Sequence, residues 1–275
     1  MLPWLTASLA AAAYLATAAL LVIRLVRRTA SPLATDWMRG AALATGLTGT
    51  LFHLLSLYLL IPHTDGLNLS LANVLSFTGW VIALVILVAA LRQRVFNLAV
   101  LLLPIAAITT LHAAGSQEMV TLLEEPGPIL VTHVVLSITA YSILSVAMLL
   151  ALVLGFQERR LRRRHPGGIL RILPPLELTE QLLFQLITYG FVGLTLALFS
   201  GLFFVEDLMA QHLVHKTVLS ISAWVLFGVL LWGRHQFGWR GRVAIRWTLS
   251  AFVLLVLAYF GSRIILEMIL GRTWG

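Results

Sequence analysis

The chain contains no cysteine, and few of its residues are charged. Without cysteine it cannot form disulfides, thiolate metal sites, iron–sulfur clusters, a cysteine nucleophile or a haem attached through Cys-x-x-Cys-His. Only 11% of its 275 residues are Asp, Glu, Lys or Arg, whereas 60% are hydrophobic. Soluble domains usually carry about 25% charged residues. The composition therefore excludes a water-soluble globular enzyme and a disordered protein, and it is typical of a helical membrane protein.

The sequence also lacks the motifs of soluble catalytic sites. It has no GxSxG, HExxH or Walker loop, and no GxGxxG in a strand–helix context. It has no paired intramembrane aspartates of the kind found in membrane proteases. Nothing in these patterns identifies an enzyme.

Long hydrophobic runs dominate what is present. Each is long enough to cross a bilayer, which takes about 20 apolar residues, and too continuous for a barrel strand. We therefore predict an all-α, polytopic membrane protein with a single integral-membrane domain. Its helix groups, 1–157 and 182–275, are joined by a basic cytoplasmic loop, 158–181. The eight predicted spans are Trp4–Ile23, Trp37–Ile61, Leu69–Leu91, Leu98–Ala114, Pro128–Leu154, Leu182–Phe204, Val214–Trp232 and Trp247–Ile269.

Basic residues are divided unequally between the two sides of these spans. Alternating the loops places 16 of the 19 Lys and Arg on one side, and the positive-inside rule makes that side cytoplasmic. Both termini are then predicted to face outward, in the inner (plasma) membrane of a bacterium. The net charge of +8 is explained by this topology, so nucleic acid is not expected as a partner. The arginine run Arg159–Arg164 is expected to anchor the topology near anionic lipid; a partner or lipid site is the alternative.

His133 lies near the start of the fifth predicted span and shares a helical face with Ser137 and Tyr141, at positions i, i+4 and i+8. Ionisable residues in a membrane are costly and usually functional. A neutral imidazole can ligate a metal, and haem iron takes an axial imidazole in an apolar pocket. The alternative is a packing histidine that bonds a hydroxyl or carbonyl of another helix.

His53 lies in the second span on the same face as Gly46 and Gly49, where a backbone or a flat ligand can approach closely. From the outer surface it is about 12 Å deep and His133 about 7 Å, given a 1.5 Å rise per residue. The two histidines are candidate ligands of one haem only if it stands obliquely.

Two cations on or near the outer side are candidate partners of haem propionates. Lys216 begins a stripe with Ser220 and Trp224, although its ammonium can also reach the interface. Arg263 is spaced for an ion pair with Glu267, which is the alternative to anion binding. His212 and His215 have the spacing of helical metal ligands, but no third ligand accompanies them.

Several segments together resemble the CcsA/ResC cytochrome c assembly superfamily, and most closely its YpjD/HemX-type inner-membrane branch. The stretch from Glu125 through His133 to Tyr141 is similar to the family helix with the pattern H-x-x-L-S-x-x-x-Y. Similarity extends over roughly residues 40–270, including Pro174–Glu177, Leu194–Phe204, Lys216–Trp232, Gly238–Arg242 and Ala258–Ser262.

The resemblance implies haem handling at the outer membrane face, in cytochrome maturation or haem homeostasis, with other assembly proteins as partners. It implies that His133 is the outward-facing family histidine and that Lys216 is the lysine closing the family's Trp-rich loop. Here that loop, Glu206–Val214, is short and has no tryptophan. We therefore expect haem binding by His133 and His53, with Tyr141, Lys216 and Arg263 around it, rather than the haem-ligating activity of the assembly members. A haem-free scaffold and a small-molecule permease are the alternatives.

Overall fold

The computed structural model describes residues 1–26, 32–63, 66–92, 95–116, 122–124, 127–163, 173–202 and 211–261. Eight of its helices are long and apolar enough to cross a membrane, so the prediction of an all-α protein with eight spans is confirmed. They are α1 Leu2–Val26, α2 Pro32–Leu60, α3 Leu71–Arg92, α4 Ala99–Gly115, α5 Pro128–Arg162, α6 Leu176–Leu202, α7 Gln211–Phe237 and α8 Arg242–Val256.

The predicted basic connection between the fifth and sixth spans overlaps both neighbouring helices. Residues 158–162 continue α5, and residues 176–181 already belong to α6, so the predicted connection 158–181 is too long at both ends. Hydropathy marks only the apolar part of a helix, whereas arginine is a good helix former and continues it into water. The 35 residues of α5 span about 50 Å, well beyond a hydrocarbon core of about 30 Å.

The described helices pack into two units of four. Unit 1 contains α1–α4, and unit 2 contains α5–α8. This grouping differs from the division into five spans and three that the basic loop suggested, because the fifth helix packs with the helices that follow it. In unit 2, α8 contacts both α5 and α7, which joins the fifth helix to the later ones.

Unit 1 is an antiparallel four-helix arrangement with polar pairs in its core. Thr17 of α1 bonds Thr45 of α2 at 2.8 Å, and the Trp80 indole of α3 donates to the Thr50 carbonyl at 3.1 Å. Three short strands, β1 Pro62–His63, β2 Gly66–Asn68 and β3 Leu122–Glu124, form an antiparallel sheet in the order β1-β2-β3. The hydropathy pattern did not predict these strands, because each has only two or three residues.

Unit 2 is also antiparallel, and its two ends differ in chemistry. One end brings together the start of α5, the end of α6 and the start of α7, and it carries His133, Ser200 and Lys216. At the other end Arg234 of α7 bonds Glu180 of α6, and Arg242 of α8 lies 3.7 Å from Glu158 of α5. The first end carries a histidine, a serine and one lysine, whereas the second carries arginines and glutamates.

Candidate functional site

The candidate site begins with His133, whose ring lies between α5 and α6. Residue 133 is five positions after the start of α5 at Pro128, and its side chain is neither fully buried nor fully exposed. Its Nδ1 lies 3.0 Å from the Ser200 hydroxyl, two residues before the end of α6. The antiparallel packing of the two helices therefore joins residues that are 67 positions apart in the chain.

The hydrogen-bond geometry around Ser200 favours one tautomer of His133. The Ser200 hydroxyl is placed to donate to the Ala197 carbonyl at 2.9 Å, as is common for helical serines. With the proton of Ser200 directed there, its oxygen accepts, and Nδ1 of a neutral His133 donates. In that tautomer the lone pair is on Nε2, and an imidazole can ligate a metal through this nitrogen.

Two further residues lie close to the His133 ring. The Ser137 hydroxyl, one turn along α5, is 3.5 Å from Nε2, the outer limit of a hydrogen bond. Next to Ser200, Gly201 lets the His133 ring lie close against α6: a Cβ at that position would be only 3.1 Å from His133 Cε1. A larger residue would press on the imidazole, so the glycine preserves its position.

Aromatic rings continue the face of α5 two turns deeper. The Tyr141 ring lies 5.4 Å from Phe252 and 5.8 Å from Tyr259, both in the last described segment of the chain. That segment changes from α-helix to a π-helix at Leu257–Gly261, a rare geometry that often occurs at functional sites. Tyr259 lies in this π-helix, and its ring completes an aromatic cluster of three with Tyr141 and Phe252.

A second aromatic pair joins α6 to α7. The Trp224 ring stacks on Phe191 at 5.5 Å with an interplanar angle of 16°, and its indole donates to the Thr195 hydroxyl at 2.8 Å. Gly228, one turn further along α7, lies against the same Phe191 ring. Trp224 is therefore held in one orientation on the α7 face that also carries Lys216.

Lys216 lies five positions after the start of α7, the same offset as His133 in α5. Both helices start at the same end of unit 2, so the two side chains are at a similar level, about 7 Å from their helix starts. Lys216 is partly buried. Arg263 lies outside the described residues, as do the side chains of His212 and His215.

His53 is the central residue of a buried polar network in unit 1. The side chain is completely buried; Nδ1 lies 3.2 Å from the Tyr14 hydroxyl, and Nε2 lies 3.0 Å from the Ser76 hydroxyl. Gly46 and Gly49 were predicted to leave room on this face for a backbone or a flat ligand. Side chains of the protein occupy that space: the Tyr14 ring lies against Gly49, and Leu87 lies against Gly46. Both ring nitrogens are thus engaged by hydroxyl groups of the same unit.

The structure brings His133, Ser137 and Tyr141 onto one face of unit 2, as the spacing predicts, whereas His53 belongs to unit 1. The sequence did not assign roles to Ser200, Gly201, Thr195 or Phe191. Ser200 and Gly201 lie in Leu194–Phe204, one of the segments that resemble the family. That resemblance was the sequence feature that could have pointed to them. Among the described residues no group of three or more His, Cys, Asp or Glu could hold a metal ion; an axial haem ligand requires only one imidazole.

Comparison with known proteins places the chain among membrane proteins of cytochrome assembly. It is 36% identical over 270 residues to the inner membrane protein YpjD of Escherichia coli strain K12, covering 96% of this chain and 98% of YpjD. A 28.8 kDa protein of Azospirillum brasilense is 32% identical over 66% of this chain and 69% of its own length. Protein HemX of Brevibacillus brevis is 24% identical over 48% of this chain and 50% of its own.

No solved structure is significantly similar to this chain. The family model described as Cytochrome C assembly protein matches residues 41–270, which include all four helices of unit 2 and most of unit 1. Eight membrane-spanning helices and the similarity to YpjD show a multi-pass protein of the bacterial inner membrane. The chain belongs to the cytochrome c assembly family.

Proposed function

We propose that this protein binds haem in unit 2, with Nε2 of His133 as an axial ligand of the iron. The observation that carries the proposal is the hydrogen-bond chain from His133 Nδ1 to Ser200 to the Ala197 carbonyl. It orients the imidazole and leaves the lone pair on Nε2, which is what second-shell partners do in metal sites. Family membership supports the same conclusion independently.

The other groups of unit 2 have separate roles in this proposal. Tyr141 and the rings of Phe252 and Tyr259 provide an apolar, aromatic surface below His133. Lys216, at a similar level on α7, is the candidate partner of a propionate. Arg263 is a second candidate for that role from its sequence position.

His53 is the weaker of the two candidate ligands. A bond from His53 to iron would require it to give up its contact with either Tyr14 or Ser76. Leaving a buried polar group unpaired costs about 1–3 kcal/mol. The geometry therefore favours His53 as a core histidine of unit 1 and His133 as the ligand.

The proposed role is haem handling in cytochrome maturation or haem homeostasis. Haem, when bound, would supply an iron that an imidazole can ligate. His133 would hold the iron, Ser200 would orient the imidazole, and the Tyr141 cluster would offer an aromatic surface to the ring. The tryptophan-free loop after α6 distinguishes this protein from members that present haem through a Trp-rich loop.

The test is the absorption spectrum of the purified full-length protein, titrated with haem in detergent. Wild type should show a specific Soret band, and His133→Ala should abolish it or shift it strongly while the protein still accumulates in the membrane. His235→Ala, at an exposed histidine of α7, is the matched control and should leave the band unchanged. His53→Ala should produce a five-coordinate spectrum only if both histidines ligate one haem.

Three outcomes would contradict the proposal in different ways. A wild type without a specific Soret band excludes haem binding and favours a haem-free scaffold. An unchanged band in His133→Ala places haem elsewhere. A colourless wild type that misfolds on His133→Ala identifies His133 as a packing residue.

A further inference from the structure

The opposite end of unit 2 carries a concentrated positive charge that haem binding does not explain. Seven arginines there are exposed: Arg159, Arg160, Arg162, Arg163, Arg240, Arg242 and Arg246, called here the basic cluster. Within the described residues of unit 2 the acidic side chains are Glu158 and Glu180 alone. Unlike a charged loop, the cluster is assembled from two helix ends and a turn.

Contacts between α5 and α8 bring the two halves of the cluster together. Glu158 lies 3.7 Å from the Arg242 guanidinium, and a Cβ on Gly241 would lie 3.7 Å from the Glu158 carboxylate. One turn earlier, Gly155 packs against Ile245. The arginines at the end of α5 therefore stand beside those at the start of α8.

The turn between α7 and α8 is held in a single conformation. Arg234 bonds both Glu180, at 2.9 Å, and the Trp239 carbonyl, at 3.1 Å, while the Gly241 amide donates to Glu180 at 3.1 Å. Gly238 and Gly241 have positive φ angles of 64° and 56°, which only glycine adopts readily. Glu180 is engaged by Arg234 and the Gly241 amide, and Glu158 contacts Arg242, so these two carboxylates leave most of the cluster's positive charge unbalanced. The turn exposes Arg240.

Aromatic side chains show the depth of this end in the bilayer. Trp239 packs against Phe237 and Trp247 at centroid distances of 6.2 and 5.4 Å, and Trp232 meets Phe237 edge-on at 5.4 Å. Trp232 and Phe237 are 57% and 64% exposed. Tryptophan belts sit at the headgroup level of membranes, so the parts of the basic cluster beside these rings are expected at the level of the lipid phosphates.

We propose that the basic cluster and the adjoining aromatic belt form a binding site for the headgroup of an anionic phospholipid. Arginine is suited to this ligand because its planar guanidinium can donate two hydrogen bonds to one phosphate. The lipid phosphate would lie between the end of α5 and the α7–α8 turn, with the glycerol and acyl chains along the tryptophans. The site is independent of the haem proposal and at the other end of unit 2.

The experiment uses full-length protein in phosphatidylcholine vesicles that contain either brominated phosphatidylglycerol or brominated phosphatidylcholine at equal mole fraction. Bromine quenches nearby tryptophans, so the anionic probe should quench more than the zwitterionic one. Replacing the three belt tryptophans together (Trp232→Phe, Trp239→Phe and Trp247→Phe) should remove this difference, which assigns it to the belt. Each of Arg240→Gln and Arg242→Gln should lower the relative association of the anionic lipid by up to about fivefold.

Arg24→Gln is the charge-matched control, because Arg24 lies at the end of α1 in unit 1. This variant should leave unchanged the excess quenching of tryptophan fluorescence by the anionic probe over the zwitterionic probe. The Arg240 and Arg242 variants retain the Glu180–Arg234 bond, so the turn should keep its fold. Equal quenching by both probes in wild type, or an equal loss in Arg24→Gln, would overturn the proposal.

Discussion

The two intramembrane histidines are chemically alike but stand in different hydrogen-bonding environments. His133 Nδ1 faces a serine whose hydroxyl is placed to donate to the Ala197 carbonyl, which favours the tautomer with the proton on Nδ1. His53 is fully buried, with a hydroxyl at each nitrogen. The first arrangement presents an imidazole to a ligand, whereas the second closes the core of a helix unit.

Removing the Ser200 hydroxyl should weaken haem binding without removing the ligand. Ser200→Ala leaves the Nδ1 proton of His133 without its hydroxyl acceptor, and losing such a partner typically costs about 10–100-fold in metal affinity. Haem titration followed at the Soret band measures the change. Ser222→Ala is the control, since that hydroxyl only bonds the Val218 carbonyl of its own helix. Equal affinity in Ser200→Ala and wild type would refute a positioning role.

Tyr14 should contribute to the stability of unit 1 through His53. Tyr14→Phe removes the hydroxyl 3.2 Å from Nδ1 and leaves a completely buried nitrogen unpaired, which should lower the free energy of unfolding by about 1–3 kcal/mol. Denaturant unfolding in detergent measures the loss. Tyr58→Phe, at a tyrosine that is 69% exposed, should be neutral. Similar losses in both variants would show that the His53 contact is not the cause.

At the scale of elements, glycines determine how closely α5 and α6 approach. A Cβ on Gly190 would lie 2.5 Å from two atoms of the buried Leu144 side chain, and one on Gly193 would lie 3.1 Å from the Ala140 Cβ. Small residues at helix interfaces permit such close packing in membranes. This packing sets the distance between His133 and Ser200, which lie at one end of the same interface.

Enlarging Gly190 should therefore affect both stability and the site. Gly190→Ala overpacks against Leu144 and should cost about 1–3 kcal/mol in unfolding free energy, with weaker haem binding as the helices separate. The control is Gly155→Ala, also in unit 2. Its new methyl would meet Ile245 at 3.7 Å, an ordinary van der Waals distance. Unfolding and Soret titrations of both variants test this. Full stability in Gly190→Ala would mean that Leu144 adapts freely.

At the scale of the molecule, charge is expected to set the orientation. Since 16 of 19 basic residues lie on one side of eight spans, we predict that both termini face outward. A phosphatase fused after Gly275 should be active, because that enzyme works only outside the cytoplasm. The same phosphatase inserted between α5 and α6 should be inactive. Green fluorescent protein inserted at that position should fluoresce, because it folds in the cytoplasm. The reverse pattern would refute the orientation.

Much of the architecture was predictable because hydropathy is a local property. A run of about 20 continuous apolar residues forms a helix in lipid, because only helices and closed barrels satisfy their backbone hydrogen bonds there, and such runs are too long for barrel strands. All eight spans follow from this rule, and so does the face that joins His133, Ser137 and Tyr141. Helix ends were less accurate, as at α5, because charged residues continue a helix beyond its apolar part.

The sequence by itself determined the number of spans, the predicted side of the arginines, the family segments and the two candidate histidines. Only the tertiary structure decided how His133 differs from His53, that α5 packs with α6–α8, and that Glu180 binds the α7–α8 turn. These are decided by partners far apart in the chain, such as Ser200 at 67 positions from His133. A local pattern specifies which residues share a helix face, but the hydrogen-bond partner, and hence the chemistry of each imidazole, depends on which helix packs against that face.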